Sequence, residues 1–128
     1  MKNKVISWIK NQVSVSKAKG IVLGLSGGID SAVVCALAKQ AVGKKNVLGL
    51  FLPCHSHPQD LKDDLLVAKR LGIKTKKIDL SAAYDNLLKV LPLPNKLAAA
   101  NLRPRLRMLT LYFFANKHNY LVCGTGNK

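Results

Sequence analysis

Apolar positions Val5, Ile6, Ile9 and Val13 recur at the spacing of one helix face, predicting a helix over 3–18 that Gly20 can end. IVLGL at 21–25 is an apolar run of strand length and leads directly into SGGIDS. SAVVCALAKQAV at 31–42 reads as a strongly apolar helix stopped by Gly43, and NVLGLFLP at 46–53 as a second buried strand closed by Pro53. A helix follows, with Ser56 or His57 as N-cap, Pro58 in the first turn and Gly72 as terminator. IKTKKIDL at 73–80 alternates like a strand, and Ser81 is the expected cap of a helix running to Val90. The prolines of LPLPNK at 91–96 mark a loop. Beyond it the pattern predicts a helix over 103–119, starting near Pro104 and apolar on nearly all sides, hence buried. YLVCG at 120–124 completes the series as a fourth strand.

Strands alternating with helices predict an α/β domain: one parallel sheet with helices on both faces, spanning residues 1–128. Ligands of such sheets bind beyond the C-terminal ends of the strands. The Gly-rich turns after Leu25 and after Cys123 both fall at those ends.

A hydrophobic content of 48% with five prolines excludes a disordered chain. No stretch reads as a targeting or membrane segment, so a cytoplasmic location is expected. Cys35, Cys54 and Cys123 form no C-x-x-C pair, which argues against a disulfide framework or zinc ribbon. Cys35 and Cys123, set among apolar neighbours, are expected to act as small core residues. Lys and Arg total 21 against 6 acids, all Asp, for a net charge of +15. Such an excess suits polyanionic partners. The lysines are nevertheless spread over most segments, and the expectation is a solvated basic surface with no nucleic-acid partner.

SGGIDS at 26–31 carries the chemistry. Gly27 and Gly28 allow a tight turn with N–H groups against a ligand, and a helix beginning near Asp30 adds its positive end. Ser26 and Ser31 supply hydroxyl donors. Asp30 in an anion cradle calls for a cation between carboxylate and phosphates, and magnesium is the expected one. The loop lacks the Walker A lysine and the G-x-G-x-x-G spacing.

The S-G-G-x-D-S pattern after an apolar strand resembles the PP-loop of ATP pyrophosphatases. NLRPRLRM at 101–108 and GTGNK at 124–128 further resemble the N-x-x-A-R-x-R-M and G-T-x-N-K-S-E segments of ammonia-dependent NAD synthetases within that group. The resemblance implies amidation of deamido-NAD with ammonia through an adenylated intermediate, giving NAD, AMP and pyrophosphate. It implies ATP contacts from Gly24, Leu25, Ser26, Gly27, Gly28, Ile29, Asp30, Ser31 and Thr125, a magnesium contact from Asp30, and a deamido-NAD contact from Arg105. It also implies a homodimer. Pro104 stands where the family commonly has alanine, and is tolerated if it opens the helix. The Ser and Glu expected after Lys128 lie beyond this sequence, so the chain is read as the N-terminal portion, with little turnover expected on its own. Residues 1–25 are too few to hold a glutaminase domain, which makes free or externally supplied ammonia the expected nitrogen donor. A tRNA-modifying PP-loop enzyme and a non-catalytic ATP-binding fragment are the competing readings.

Cys54, His55 and His57 are expected to line the nucleotide pocket rather than bind metal, since ligands so close together cannot all reach one tetrahedral ion. Asp60, Asp63 and Asp64 suit the positive start of their helix. Trp8 is expected to pack, and His118 to lie at the surface.

Overall fold

The computed structural model describes residues 2–25, 29–55, 58–92 and 95–123, apart from the side chains of residues 2, 29–31, 58, 60, 61, 63, 64 and 67. In chain order the elements are α1 (Lys2–Ser16), β1 (Gly20–Leu25), α2 (Ile29–Val42), a 3-10 turn (Lys44–Asn46), β2 (Val47–Phe51), α3 (Pro58–Leu71), β3 (Lys74–Lys77), α4 (Ser81–Val90), α5 (Lys96–His118) and β4 (Tyr120–Val122). The 4-stranded sheet has the order β3-β2-β1-β4, and every pairing is parallel.

Alternation along the strands divides the core into two layers. Ile21, Leu23 and Leu25 of β1, with Val47 and Phe51 of β2, pack against Ile9 of α1, Cys35 and Ala38 of α2 and Ala68 of α3. Val22 and Leu50 point the other way, toward Tyr84 of α4 and Leu111, Phe114 and Ala115 of α5. The predicted three-layer α/β arrangement is therefore the observed one. α2 and α3 each run back to the entry edge, as α5 does after α4, and β1 and β4 end at the opposite, exit edge.

Several local expectations are corrected. Gly20 does not end α1: the helix stops at Ser16, and Lys17 takes the left-handed conformation, at φ 58°. Gly20 belongs to β1, where an added Cβ would lie 2.3 Å from the Asn46 carbonyl oxygen and 2.9 Å from the Tyr120 ring. Gly72, at φ 69°, does follow α3 as its terminator. Ser81 opens α4 rather than capping it, and the Asp79 carboxylate accepts its N–H at 2.9 Å. Trp8 is 63% exposed instead of packed.

The largest correction concerns α5, which starts at Lys96 and carries Pro104 inside it. Asn95 caps the helix, its side chain accepting the Ala98 N–H at 2.7 Å. The alanine-rich first turns hold the helix through a proline that denies Ala100 its usual donor, a loss that water at this exposed residue can offset. Nor is α5 buried all round, since Leu109, Tyr112 and Phe113 are all exposed.

The close approach at Gly20 has a measurable consequence. The obstructing Asn46 oxygen is backbone and has little freedom to retreat. Gly20→Ala is expected to lower stability by about 1–3 kcal/mol, read from the urea midpoint of the 128-residue chain. An unchanged midpoint would show that the strands can move apart.

Candidate active site

The strand order places a switch point between β1 and β4. The chain steps outward from β1 to β2 to β3, then returns to the far side of β1. A crevice opens at such a point, beyond the strand ends. Leu25 closes β1 as a buried residue, and Gly24 beside it lies over Leu111 of α5. Four residues later α2 begins at Ile29, with Asp30 in its first turn. The unsatisfied N–H groups of that turn give the crevice a positive wall. Ser26, Gly27, Gly28 and Thr125, together with the side chains of Ile29, Asp30 and Ser31, lie outside the described residues.

A second group of side chains gathers at the exit ends of β2 and β3. Arg107 donates from Nε to the Leu52 carbonyl at 3.0 Å, tying α5 to the end of β2. Arg103, one turn earlier on the same face, places its guanidinium 5.2 Å from the centre of the Tyr84 ring. Its Nε is buried and has no hydrogen-bond partner among the described residues. The Tyr84 hydroxyl donates to the Ala99 carbonyl at 3.0 Å, joining α4 to the first half of α5. The Leu80 N–H donates to the Pro53 carbonyl at 2.7 Å, and the His55 N–H to Ser81 Oγ at 2.9 Å. His55 Nε2 meets Asp85 Oδ1 at 2.8 Å. The segment leaving β2 is therefore fixed from two sides before it reaches residues 56 and 57, which lie outside the described residues, as does His57 of the expected pocket lining.

Cys54 is buried beneath this group rather than lining an open pocket. Burial pushes its thiol above the usual range, outweighing the opposing pull of Arg103 and Arg107. Burial likewise raises Cys123, and lifts Cys35 to about 11. All three thiols are thus protonated at neutral pH and poor nucleophiles. The folded chain should react with a thiol-exchange reagent at pH 7.5 far more slowly than the urea-unfolded chain. Fast labelling of Cys54 in the folded state would contradict its placement. Asp79 shifts the other way: hydrogen bonds from Ser81 hold its carboxyl below the usual range.

Arg105 faces away from Arg103 and Arg107. It is exposed, and its Nη1 donates to the Asn101 carbonyl at 3.1 Å. It sits in the interior of α5, not in a first turn, where the backbone N–H groups are taken up within the helix. Its neighbours one and two turns on are the exposed Leu109 and Tyr112. The Arg-x-Arg-x-Arg spacing held the signal for this split, because i and i+4 share a helix face while i+2 does not. Tyr84 and Asp85 carried no comparable mark in the sequence.

The sequence model of the NAD synthase family matches residues 1–128. The chain belongs to the NAD synthase family. Among curated members, an NH(3)-dependent NAD(+) synthetase of Pyrobaculum aerophilum is 44% identical over 97% of this chain and 48% of its own length. An NH3-dependent NAD synthetase of Campylobacter jejuni, solved with a nitrate ion, superposes with a TM-score of 0.91 at 37% identity, covering 99% of this chain and 56% of its own. An NMN synthetase of Francisella tularensis gives 0.90 at 34% identity, covering 98% and 53%. The chain spans about half the length of the curated relatives it matches. The NAD synthase fold accounts for the parallel sheet with its flanking helices, and for the loop position at the end of β1.

Proposed function

We propose that this chain provides the ATP-binding half of an ammonia-dependent NAD synthetase. The observation that carries the reading is the family match along the whole chain. In this reading Gly24 to Ser31 and Thr125 surround ATP at the switch point between β1 and β4. The backbone N–H groups and hydroxyls of the loop hold the departing pyrophosphate, while the carboxylate of deamido-NAD attacks the α-phosphate. Ammonia then displaces AMP from the adenylated carbon. This chemistry rests on positioning and charge neutralisation more than on an acid–base pair.

Asp30 would be the magnesium ligand. A hard carboxylate oxygen carried by a residue in the first turn of α2, next to the proposed phosphate loop, suits that ion, which would supply charge neutralisation when bound. Arg105 would meet the dinucleotide. It shares its face of α5 with the exposed Leu109 and Tyr112, and an apolar stripe of this kind supports a homodimer in the complete protein. No described helix is long and apolar enough to cross a membrane, and a cytoplasmic location is part of the proposal.

The test is to supply the complete protein with ATP, magnesium and deamido-NAD, adding ammonium or glutamine as nitrogen source. NAD formation with ammonium is expected; its absence would end the assignment. The Francisella neighbour raises a second reading, amidation of the corresponding mononucleotide. Parallel assays on the two acids separate them, the larger kcat/KM naming the substrate.

A further inference from the structure

Lysines dispersed along the sequence converge in space. Because every strand pairing is parallel, all strand entries share one edge of the sheet. Lys17 and Lys19 lie just before β1, Lys44 and Lys45 just before β2, and Lys74 opens β3. Lys39 of α2, Lys69 and Arg70 of α3 and Lys117 of α5 occupy the last turns of helices that end at the same edge. All but the half-buried Lys39 are exposed. The six acidic residues of the sequence lie toward the other edge. Asp30 is in the first turn of α2, Asp60, Asp63 and Asp64 are in the first half of α3, and Asp79 and Asp85 follow β3.

Helix dipoles account for part of this pattern. Cations in the last turns offset the partial negative charge there, roughly half a unit per helix. Lys17, Lys19, Lys44, Lys45 and Lys74 lie outside those turns. The ion pair among the described residues, His55 with Asp85, is at the far edge. These five stand at the entries of three adjacent strands, and strands about 4.8 Å apart set them within a row only about 10 Å wide, close to one Debye length at physiological salt. Like charges so placed repel one another, and gain most from a partner carrying closely spaced negative charge.

We infer that this edge is a docking surface for the phosphate backbone of a nucleic-acid duplex, bound without regard to sequence. Lysine ammonium groups act on phosphates as mobile point charges. A single strand calls for exposed rings on which bases stack; here Tyr120 is half-buried and His118 is already stacked 6.2 Å from Phe114. An anionic membrane calls for apolar side chains beside the cations. Of the exposed large apolar residues described, only Val15 falls in the last turn of an element ending at this edge. The candidate active site opens at the other edge, so a docked duplex leaves it free.

The 128-residue chain is titrated into a fluorescent DNA duplex of about twenty base pairs, with anisotropy read between about 50 and 200 mM salt. Saturable binding is expected, weakening steeply with salt. In the Lys44→Gln/Lys45→Gln variant the slope of log affinity against log salt should fall by about two. The Lys17→Gln/Lys19→Gln variant should do the same. Lys89→Gln/Lys96→Gln, away from this edge, should match the parent chain. Circular dichroism melts of the variants should coincide with that of the parent, since all these lysines are exposed. The proposal is overturned by absence of duplex binding, by equal losses in the Lys89/Lys96 variant, by tighter binding to the matched single strand, or by binding to phosphatidylserine vesicles in place of the duplex.

Discussion

Replacing Asp30 with Asn is expected to cut magnesium-dependent ATP turnover in the complete protein by about 10²–10³-fold or more. Asp30 stands in the first turn of α2, directly past the end of β1, where helix N–H groups favour phosphate. A carboxylate placed there repels the triphosphate unless a cation lies between them. Asn preserves the size of the side chain and its suitability for a helix start, but removes the charge that holds the ion. The fold should therefore survive, with an unchanged circular dichroism melt, while AMP and pyrophosphate release collapses. Undiminished release from Asp30→Asn would take the metal contact away from this residue.

Arg105→Ala and Arg107→Ala should separate cleanly. Residues two apart on a helix project roughly 200° apart, and the contacts of the two arginines differ accordingly. Arg107 is half-buried and holds the Leu52 carbonyl at the end of β2. Its removal leaves that acceptor without its partner, and should cost about 1–3 kcal/mol of stability. Arg105 is exposed and, among the described residues, bonded within its own helix. Removing it should leave the melt unchanged while raising the KM for deamido-NAD by about tenfold or more, the loss of a charge-assisted contact; the KM for ATP should hardly move. Equal kinetic losses in the two variants, or a larger one for Arg107→Ala, would move the dinucleotide contact off Arg105.

The layered fold was legible because its signals are local. IVLGL and VLGLF are short, apolar and bounded by glycine and proline, and the intervening helix is apolar enough to require a sheet beside it. The glycines of the PP-loop resemblance fall at the end of β1 for the same reason. Pro104 by itself marks a helix opening, yet α5 starts at Lys96 and takes the proline into its interior. Asn95 ahead of KLAAANL was the better signal, a capping residue followed by strong helix formers. The group around Cys54 was not legible at all. Its contacts join residues 15 to 55 positions apart, such as Tyr84 with Ala99 and Leu52 with Arg107, and no periodicity encodes such pairs. The basic edge escaped for a related reason: lysines separated along the chain become neighbours only once the strands are parallel and aligned.

The central claim is that ATP is split between its α- and β-phosphates at the turn after β1. Its most direct test follows γ-labelled ATP in the complete protein, supplied with magnesium, deamido-NAD and ammonia, and identifies the labelled product by chromatography. The account predicts label in pyrophosphate, in step with NAD formation. Label released as orthophosphate, with ADP as the second product, would contradict it.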